Sequence, residues 1–233
     1  MKYQDEIVCG SFIKRYKRFF ADIKIDKETI TAYCPNTGSL SGLLNEGADV
    51  LLSIVKNPNA KLKYRLEAIK YGKIFVGVNT SLPNNIVYEA ISSKKILKSM
   101  KYINLIKEVK YGANSRIDIL AENKENLKTY IEIKSVTLSR SKNLAEFPDS
   151  VTLRGSKHLI ELSNKSNEGH SCYMIYLIQR SDVNKFSIAK DIDPEYYKNS
   201  LRAKKSGVKF LAFKCDVNFT GIEITKEIKI NEH

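Results

Sequence analysis

The stretch TYIEIKSV, residues 129–136, alternates as a strand does. Thr129, Ile131 and Ile133 fall on one side, and Tyr130, Glu132 and Lys134 fall on the other. A carboxylate and an ammonium therefore stand two residues apart on one face. Such a pair belongs either to a solvated sheet surface or to a metal-dependent hydrolytic site. The preceding run, SRIDILA at 115–121, carries Asp118 between Ile117 and Ile119. A hairpin around the polar loop AENKENLK, centred near Glu125, would set Asp118 opposite Glu132. Like charges in that position repel, and a divalent cation between them removes the repulsion. Mg²⁺ or Mn²⁺ suits the pair, because a small hard cation needs only one or two carboxylates beside water and phosphate oxygens. Lys134 would orient an attacking water or offset charge on a scissile phosphate. Asp118, Glu132 and Lys134 are the candidate catalytic residues, and the two carboxylates are the candidate metal ligands.

Strands and helices must hold these side chains in place. Leu82-Pro83-Asn84-Asn85 signals a helix start, and IVYEAISSKKIL predicts a helix near 85–98. Strand-like runs follow at 103–112, 115–121 and 127–138, then a helical pattern at 151–166 and an apolar run at 170–180. Asp193-Pro194 starts a last helix, Gly207 ends it, and 208–217 reads as a strand. The order helix, three strands, helix, strand predicts a meander and a crossover helix into a fourth strand. Glu108, on the strand before Asp118, is a further candidate metal ligand or a solvated edge residue. Glu89, on the first helix, is another candidate ligand. Arg154, His158 and Glu161 share one helix face. That face reads as a polar outer surface, with phosphate contacts by Arg154 and Lys157 as the alternative. Asp149 reads as a helix cap.

The first 80 residues have a different rhythm. Alternating or apolar runs at 11–26, 48–55, 61–69 and 73–80 are separated by the turn clusters CPNTGSLSG and NPN. They predict a small antiparallel barrel or sandwich. The change of period near residue 80 divides the chain into 1–80 and 81–233. Arg15, Lys17 and Phe19 are expected on one strand face, and Lys14, Tyr16, Arg18 and Phe20 on the other. Lys61, Lys63 and Arg65 form a basic stripe. Arg15, Lys17, Arg18, Lys61, Lys63 and Arg65 are the nucleic-acid-binding candidates of this region, set against an ordinary charged barrel surface.

The 233 residues carry 39 Lys and Arg against 26 Asp and Glu, a net charge of +13. That excess points to a polyanionic partner, nucleic acid first and an anionic membrane second. With 42% hydrophobic residues the chain is expected to pack a core. The four scattered cysteines have no zinc-knuckle spacing and read as free thiols of a reducing compartment. No apolar run approaches the ~18 residues of a membrane helix, and the polar N-terminus does not read as a signal peptide. The expected location is the cytoplasm.

Longer blocks carry a resemblance. RYKRF at 15–19, CPNTGSL at 34–40, VGVNTSLPN at 76–84, EVKYG…SRID at 108–118, IEIKSVTL at 131–138, the FPD…RG.KHL block at 147–159 and DPEYY at 193–197 resemble the signature blocks of the sugar fermentation stimulation protein A family. The D…ExK pattern and its element order resemble the PD-(D/E)xK nuclease fold. The match runs nearly end to end. It implies an N-terminal OB-like β-barrel followed by a nuclease-like αβββαβ domain. It also implies a DNA-binding protein linked to regulation of sugar use. Asp118, Glu132 and Lys134 match the nuclease motif without departure. Two readings follow: a DNA-binding protein of low sequence preference, or a Mg²⁺-dependent nuclease acting on DNA through those three residues. A ligand-responsive regulator of sugar genes is a third class, for which the sequence shows no pocket.

Overall fold

Strands β1 (Ile7–Tyr16), β2 (Phe20–Ile25), β3 (Glu28–Tyr33), β4 (Asp49–Ile54), β5 (Tyr64–Tyr71) and β6 (Ile74–Gly77) form one sheet in the order β3-β2-β1-β4-β5-β6. A parallel pairing of Tyr33 with Arg65 joins β3 to β5, closing a five-stranded barrel with the connectivity of an OB fold. The structure, a computed structural model, describes residues 1–112, 115–125 and 127–231. Phe12, Ile23, Leu52, Leu66 and Val76 fill the barrel. Both faces of β4–β5 are buried, because Leu51 and Ala68 pack outward into a second core.

The run at 11–26 is two strands, not one. Lys17 and Arg18 turn the chain with φ of 48° and 63°, the left-handed region that reverses two right-twisted strands. No Gly or Asn marks the turn, so alternation alone runs straight through it. The strand faces expected for Lys17, Arg18 and Phe19 therefore do not exist. Left-handed conformation costs a side-chain-bearing residue roughly 1–2 kcal/mol. Arg15 offsets that cost: its Nε donates to the Arg18 carbonyl at 2.9 Å, and its other nitrogens donate to the Gly38 and Asn36 carbonyls. Arg15 is thus bound to backbone and not free for phosphate. The basic stripe also changes. Lys61 and Lys63 lie in the β4–β5 loop, and Arg65 pairs with the buried Glu67 at 2.7 Å and with Asp5 at 3.3 Å.

Beyond the barrel come α1 (Pro83–Ser92), β7 (Asn104–Tyr111), β8 (Ser115–Glu122), β9 (Lys128–Val136), β10 (Leu138–Ser141), β11 (Leu144–Phe147), α2 (Leu153–Asn167), β12 (Ser171–Ile178), β13 (Lys185–Ile188), α3 (Pro194–Lys205), β14 (Lys209–Asn218), β15 (Gly221–Glu227) and β16 (Lys229–Ile230). A six-stranded sheet has the order β15-β14-β12-β9-β8-β7. Strands β7–β8–β9 are the expected meander, and α2 is the crossover into parallel β12. Helices α2 and α3 cover one face, over Leu159, Tyr176 and Tyr196. Helix α1 covers the other, with Ile119, Ile131 and Ile133 beneath it. The short sheet β10-β11-β13-β16 was not expected; its strands have two to four residues, too few for alternation to show. Asp193 caps α3 and Thr152 caps α2. Asp149 is not the cap of α2: its carboxylate accepts from the Ser39 amide at 2.8 Å and ties the barrel loop to the sheet domain. Among the described residues no helix is long and apolar enough to cross a membrane.

Candidate metal centre

The β8–β9 hairpin pairs Ile119 with Ile131 and Leu120 with Tyr130, the register that loop symmetry predicts. Beyond Ile119 the ladder stops. The Asp118 carboxylate fills the gap, with Oδ2 accepting from the Ile133 amide at 2.7 Å. The β7–β8 ladder is likewise interrupted at Glu108 and Asp118, between the pairs Lys107–Ile119 and Val109–Ile117. Glu108 has φ of 57° there. One consequence departs from simple alternation: Ile117 and Ile119 enter opposite cores, so Asp118 sits on a twist and not on a regular face. Strained backbone of this kind persists where its surroundings over-determine it.

Glu132 lies deep on the α2 side of β9. Its Oε1 accepts from Lys134 Nζ at 2.8 Å and contacts His158 Nδ1 on α2. Lys134 Nζ is also 3.1 Å from His158 Nδ1, and Arg154 Nε donates to His158 Nε2 at 3.4 Å. With Nε2 accepting, the network assigns the ring proton to Nδ1, facing Glu132. Among the described residues Glu132 Oε2 is buried without a partner, and so are Tyr111 Oη and Glu161 Oε2. Asn84, in the first turn of α1, donates to Glu108 Oε1 at 2.6 Å and to Asp118 Oδ1 at 2.9 Å. The positive end of that helix favours the two carboxylates.

The two central carboxyls are driven apart. Burial, and then the charge of Glu132, push Asp118 up to about 7, against the opposing pull of the Ile133 amide, Lys134 and Asn84. Burial is also the largest single influence on Glu132, yet Lys134 and His158 together outweigh it and hold the carboxyl below its usual range. Burial and then Glu132, Glu161 and Asp118 raise Tyr111. Glu132 is thus the charged member of the pair, and Asp118 the member that its neighbourhood resists charging. An unpartnered buried carboxylate oxygen beside such a group is what a divalent cation satisfies. Among the described residues no three His, Cys, Asp or Glu side chains converge as a complete cage.

The other candidates are distributed as follows. Glu108 reaches the site through Asn84. Glu89 does not: it is 60% exposed and faces the Met1 amino group at 3.4 Å. Five residues turn a helix by 500°, so Glu89 points about 140° away from Asn84. Arg154 is exposed beside His158, and exposed Lys157 lies 3.8 Å from Glu161. His158 and Glu161 are buried against the sheet, so their face is not the polar outer surface expected. Arg18 lines a cleft of about 290 Å³ with Gly38, Ser135, Thr137 and Thr152, which Asp118, Glu132 and Lys134 do not line. Sequence reading missed Asn84, Tyr111 and His158 as site residues. The only signals were the helix-start asparagines and the i, i+4, i+7 spacing on α2.

Residues 13–78 match the family model described as the SfsA N-terminal OB domain, and residues 81–221 match that of the sugar fermentation stimulation protein RE domain. A sugar fermentation stimulation protein homolog of Pelagibacter ubique (strain HTCC1062) is 47% identical over 230 residues, covering 99% of both chains. The homolog of Sinorhizobium medicae (strain WSM419) is 42% identical over 233 residues, covering 100% of this chain and 98% of the relative. The solved structure of Pyrococcus furiosus SfsA in complex with Ca²⁺ shares the fold with a TM-score of 0.88 at 24% identity, covering 100% of each chain. On two family models that together take in most of the chain, and on identities above 40% across its full length, this chain belongs to the sugar fermentation stimulation protein family.

Proposed function

We propose that this protein binds DNA with little sequence preference and that its Asp118–Glu132–Lys134 constellation hydrolyses phosphodiesters with a divalent cation, Mg²⁺ or Mn²⁺. The observation that carries the reading is the buried Glu132 Oε2, unpartnered among the described residues, near Asp118, whose carboxyl burial and then the charge of Glu132 push up to about 7. Asp118 and Glu132 would hold the cation, with Glu108 adjoining through Asn84. Bound there, it would supply a Lewis acid for the phosphate and lower the pKa of a coordinated water. Lys134 positions a water or meets developing charge on the phosphate, and His158 keeps Lys134 and Glu132 aligned. The Ca²⁺ named with the Pyrococcus furiosus relative supports a hard-cation preference.

Residues 1–80 would serve DNA binding and 81–233 the chemistry, in the cytoplasm. A role in regulating sugar metabolism, carried in the relatives' name, would act through that binding. One observation favours binding without cleavage: Lys134 and His158 already occupy Glu132 Oε1, so a cation competes for it.

Calorimetry decides the metal site. Mn²⁺ or Mg²⁺ titrated into the wild type should give a saturable heat that Asp118→Ala abolishes. Equal heats for both proteins, or none for the wild type, would sink the reading.

The +13 charge makes a separate prediction. Association with duplex DNA should weaken steeply with salt, with a log–log slope of about −5 if about six phosphates are neutralised. Arg15 is bound to backbone, so the slope belongs to exposed cations such as Lys17, Arg18, Lys61 and Lys63. Replacing Lys17 and Arg18 with Ala should make it shallower by up to about two. Fluorescence anisotropy on two unrelated duplexes in EDTA measures this. A flat salt dependence, or strong preference for one duplex, would contradict general phosphate binding.

A further inference from the structure

The outer face of β1–β2–β3 carries a row of aromatic side chains. Tyr16 is paired with Phe20, and Phe20 with Tyr33, so the three stand side by side across three strands on one face. Tyr16 and Phe20 stack with centroids 5.5 Å apart and planes 15° apart. Phe19, from the turn, stacks on Tyr33 at 6.4 Å and 18°. Tyr16, Phe19 and Tyr33 are 37%, 40% and 41% exposed. Cross-strand packing accounts for Tyr16 and Phe20. It does not account for Phe19, which belongs to no strand yet lays its ring along the same face.

The opposite outer face, on β4–β5, is buried beneath the protein's own second core through Leu51 and Ala68. The aromatic face has no such cover, and cations border it on both sides. Lys17 and Arg18 precede Phe19 in the turn, and Lys14 lies 6.0 Å from the Tyr16 ring. Beside Tyr33, the partner strand begins after exposed Lys61 and Lys63. The rings are also held in place: Tyr16 Oη donates to Asp22 Oδ1 at 3.2 Å, and Asp22 accepts from Thr31 Oγ1 at 2.9 Å. Flat, preset rings flanked by cations match unpaired bases on a phosphate backbone. In a duplex the bases stack on each other and offer no face to these rings.

We infer that this face binds single-stranded DNA by base stacking. The inference deepens the DNA-binding reading and rests on it. Arg18 extends the basic border: it is the neighbour of Phe19 and lines the cleft walled by Gly38, Ser135, Thr137 and Thr152. A strand stacked on Tyr16, Phe19, Phe20 and Tyr33 passes Arg18 toward that cleft.

The test is fluorescence anisotropy in EDTA at fixed salt with four labelled probes of equal length: single-stranded DNA, single-stranded RNA, duplex DNA and an abasic DNA strand. The abasic strand keeps its phosphates and lacks bases, so it separates stacking from charge without any variant. Wild type should bind the base-bearing DNA strand at least about tenfold more tightly than the abasic strand and the duplex, since each stacked base is worth roughly 5- to 150-fold. The RNA arm tests the choice of sugar: tighter binding of the RNA strand than of the DNA strand overturns the inference. Phe19→Leu with Tyr33→Leu keeps apolar bulk and removes two rings. It should weaken single-strand binding by about tenfold or more and leave duplex affinity unchanged, with circular dichroism confirming the fold. Equal affinity for abasic and base-bearing strands, or tighter binding of duplex, overturns the stacking inference while leaving DNA binding standing. No binding to any probe overturns both.

Discussion

Lys134→Met is expected to lower metal-dependent cleavage of nucleic acid by at least about a hundredfold, the usual cost of deleting one electrostatic contributor to a phosphoryl or acyl transition state. Its Nζ lies 2.8 Å from Glu132 Oε1 and 3.1 Å from His158 Nδ1, and its side chain is only 12% exposed, so the charge is held at the centre of the network. Methionine retains the apolar stem and removes only the charged head. Removing one partner of a buried pair commonly costs 3–5 kcal/mol. Here His158 still contacts Glu132 and the carboxyl can take up a proton, so a loss of about 1–3 kcal/mol is expected, leaving the chain folded at assay temperature. Plasmid, linear duplex, single-stranded DNA and RNA should each be assayed with Mn²⁺ and with EDTA. Cleavage that survives Lys134→Met would place the chemistry elsewhere or in a contaminant. Absence of wild-type cleavage on every substrate would leave a binding protein.

What the residues disclose in advance is local and periodic. Alternation in TYIEIKSV separates Glu132 and Lys134 from Ile131 and Ile133, and the structure sends these to opposite sides of the sheet. The length of one polar loop sets the β8–β9 register, and with it the approach of Asp118 to Glu132. Long-range partners leave no such trace. His158 reaches Glu132 across 26 residues, and its spacing from Arg154 and Glu161 describes any polar helix face equally well. Asn84 reads as a helix-start residue because its two carboxylate partners lie 24 and 34 residues away. The left-handed backbone at Glu108 is strain, which side-chain pattern does not encode. The turn at Lys17–Arg18 was hidden for a related reason: the strain that glycine would avoid is offset by Arg15, whose own acceptors Gly38 and Asn36 lie more than twenty residues on.

Asp118→Asn should stabilise the metal-free protein above neutral pH and erase its stabilisation by Mg²⁺ or Mn²⁺. The sign follows from linkage. In the folded protein Asp118 titrates at about 7, above the 3.8 of a free aspartate. Between those values the folded chain holds a proton that the unfolded chain has released, so stability falls as pH rises from about 4 to about 7 and the loss is complete above that. Each pKa unit corresponds to about 1.4 kcal/mol, which bounds the loss near ~4 kcal/mol. Water reaching the partly exposed carboxylate reduces this to about 1–3 kcal/mol. Asparagine keeps an acceptor for the Ile133 amide and carries no charge to oppose Glu132. For a chain of this size its thermal midpoint at pH 8 should rise by roughly 2–10 °C over the metal-free wild type. At pH 4 the two proteins should converge, because Asp118 is then neutral in the wild type as well. Cation has the opposite ranking: saturation at about a hundred times its dissociation constant adds about 2.7 kcal/mol to the wild type and nothing to the variant. Thermal melts of both proteins at pH 4 and pH 8, with EDTA and with Mn²⁺, give the eight values needed. A variant less stable than wild type at pH 8 in EDTA would show that Asp118 is held by its hydrogen bonds more strongly than Glu132 repels it. The case for a cation between them would then lose its physical basis.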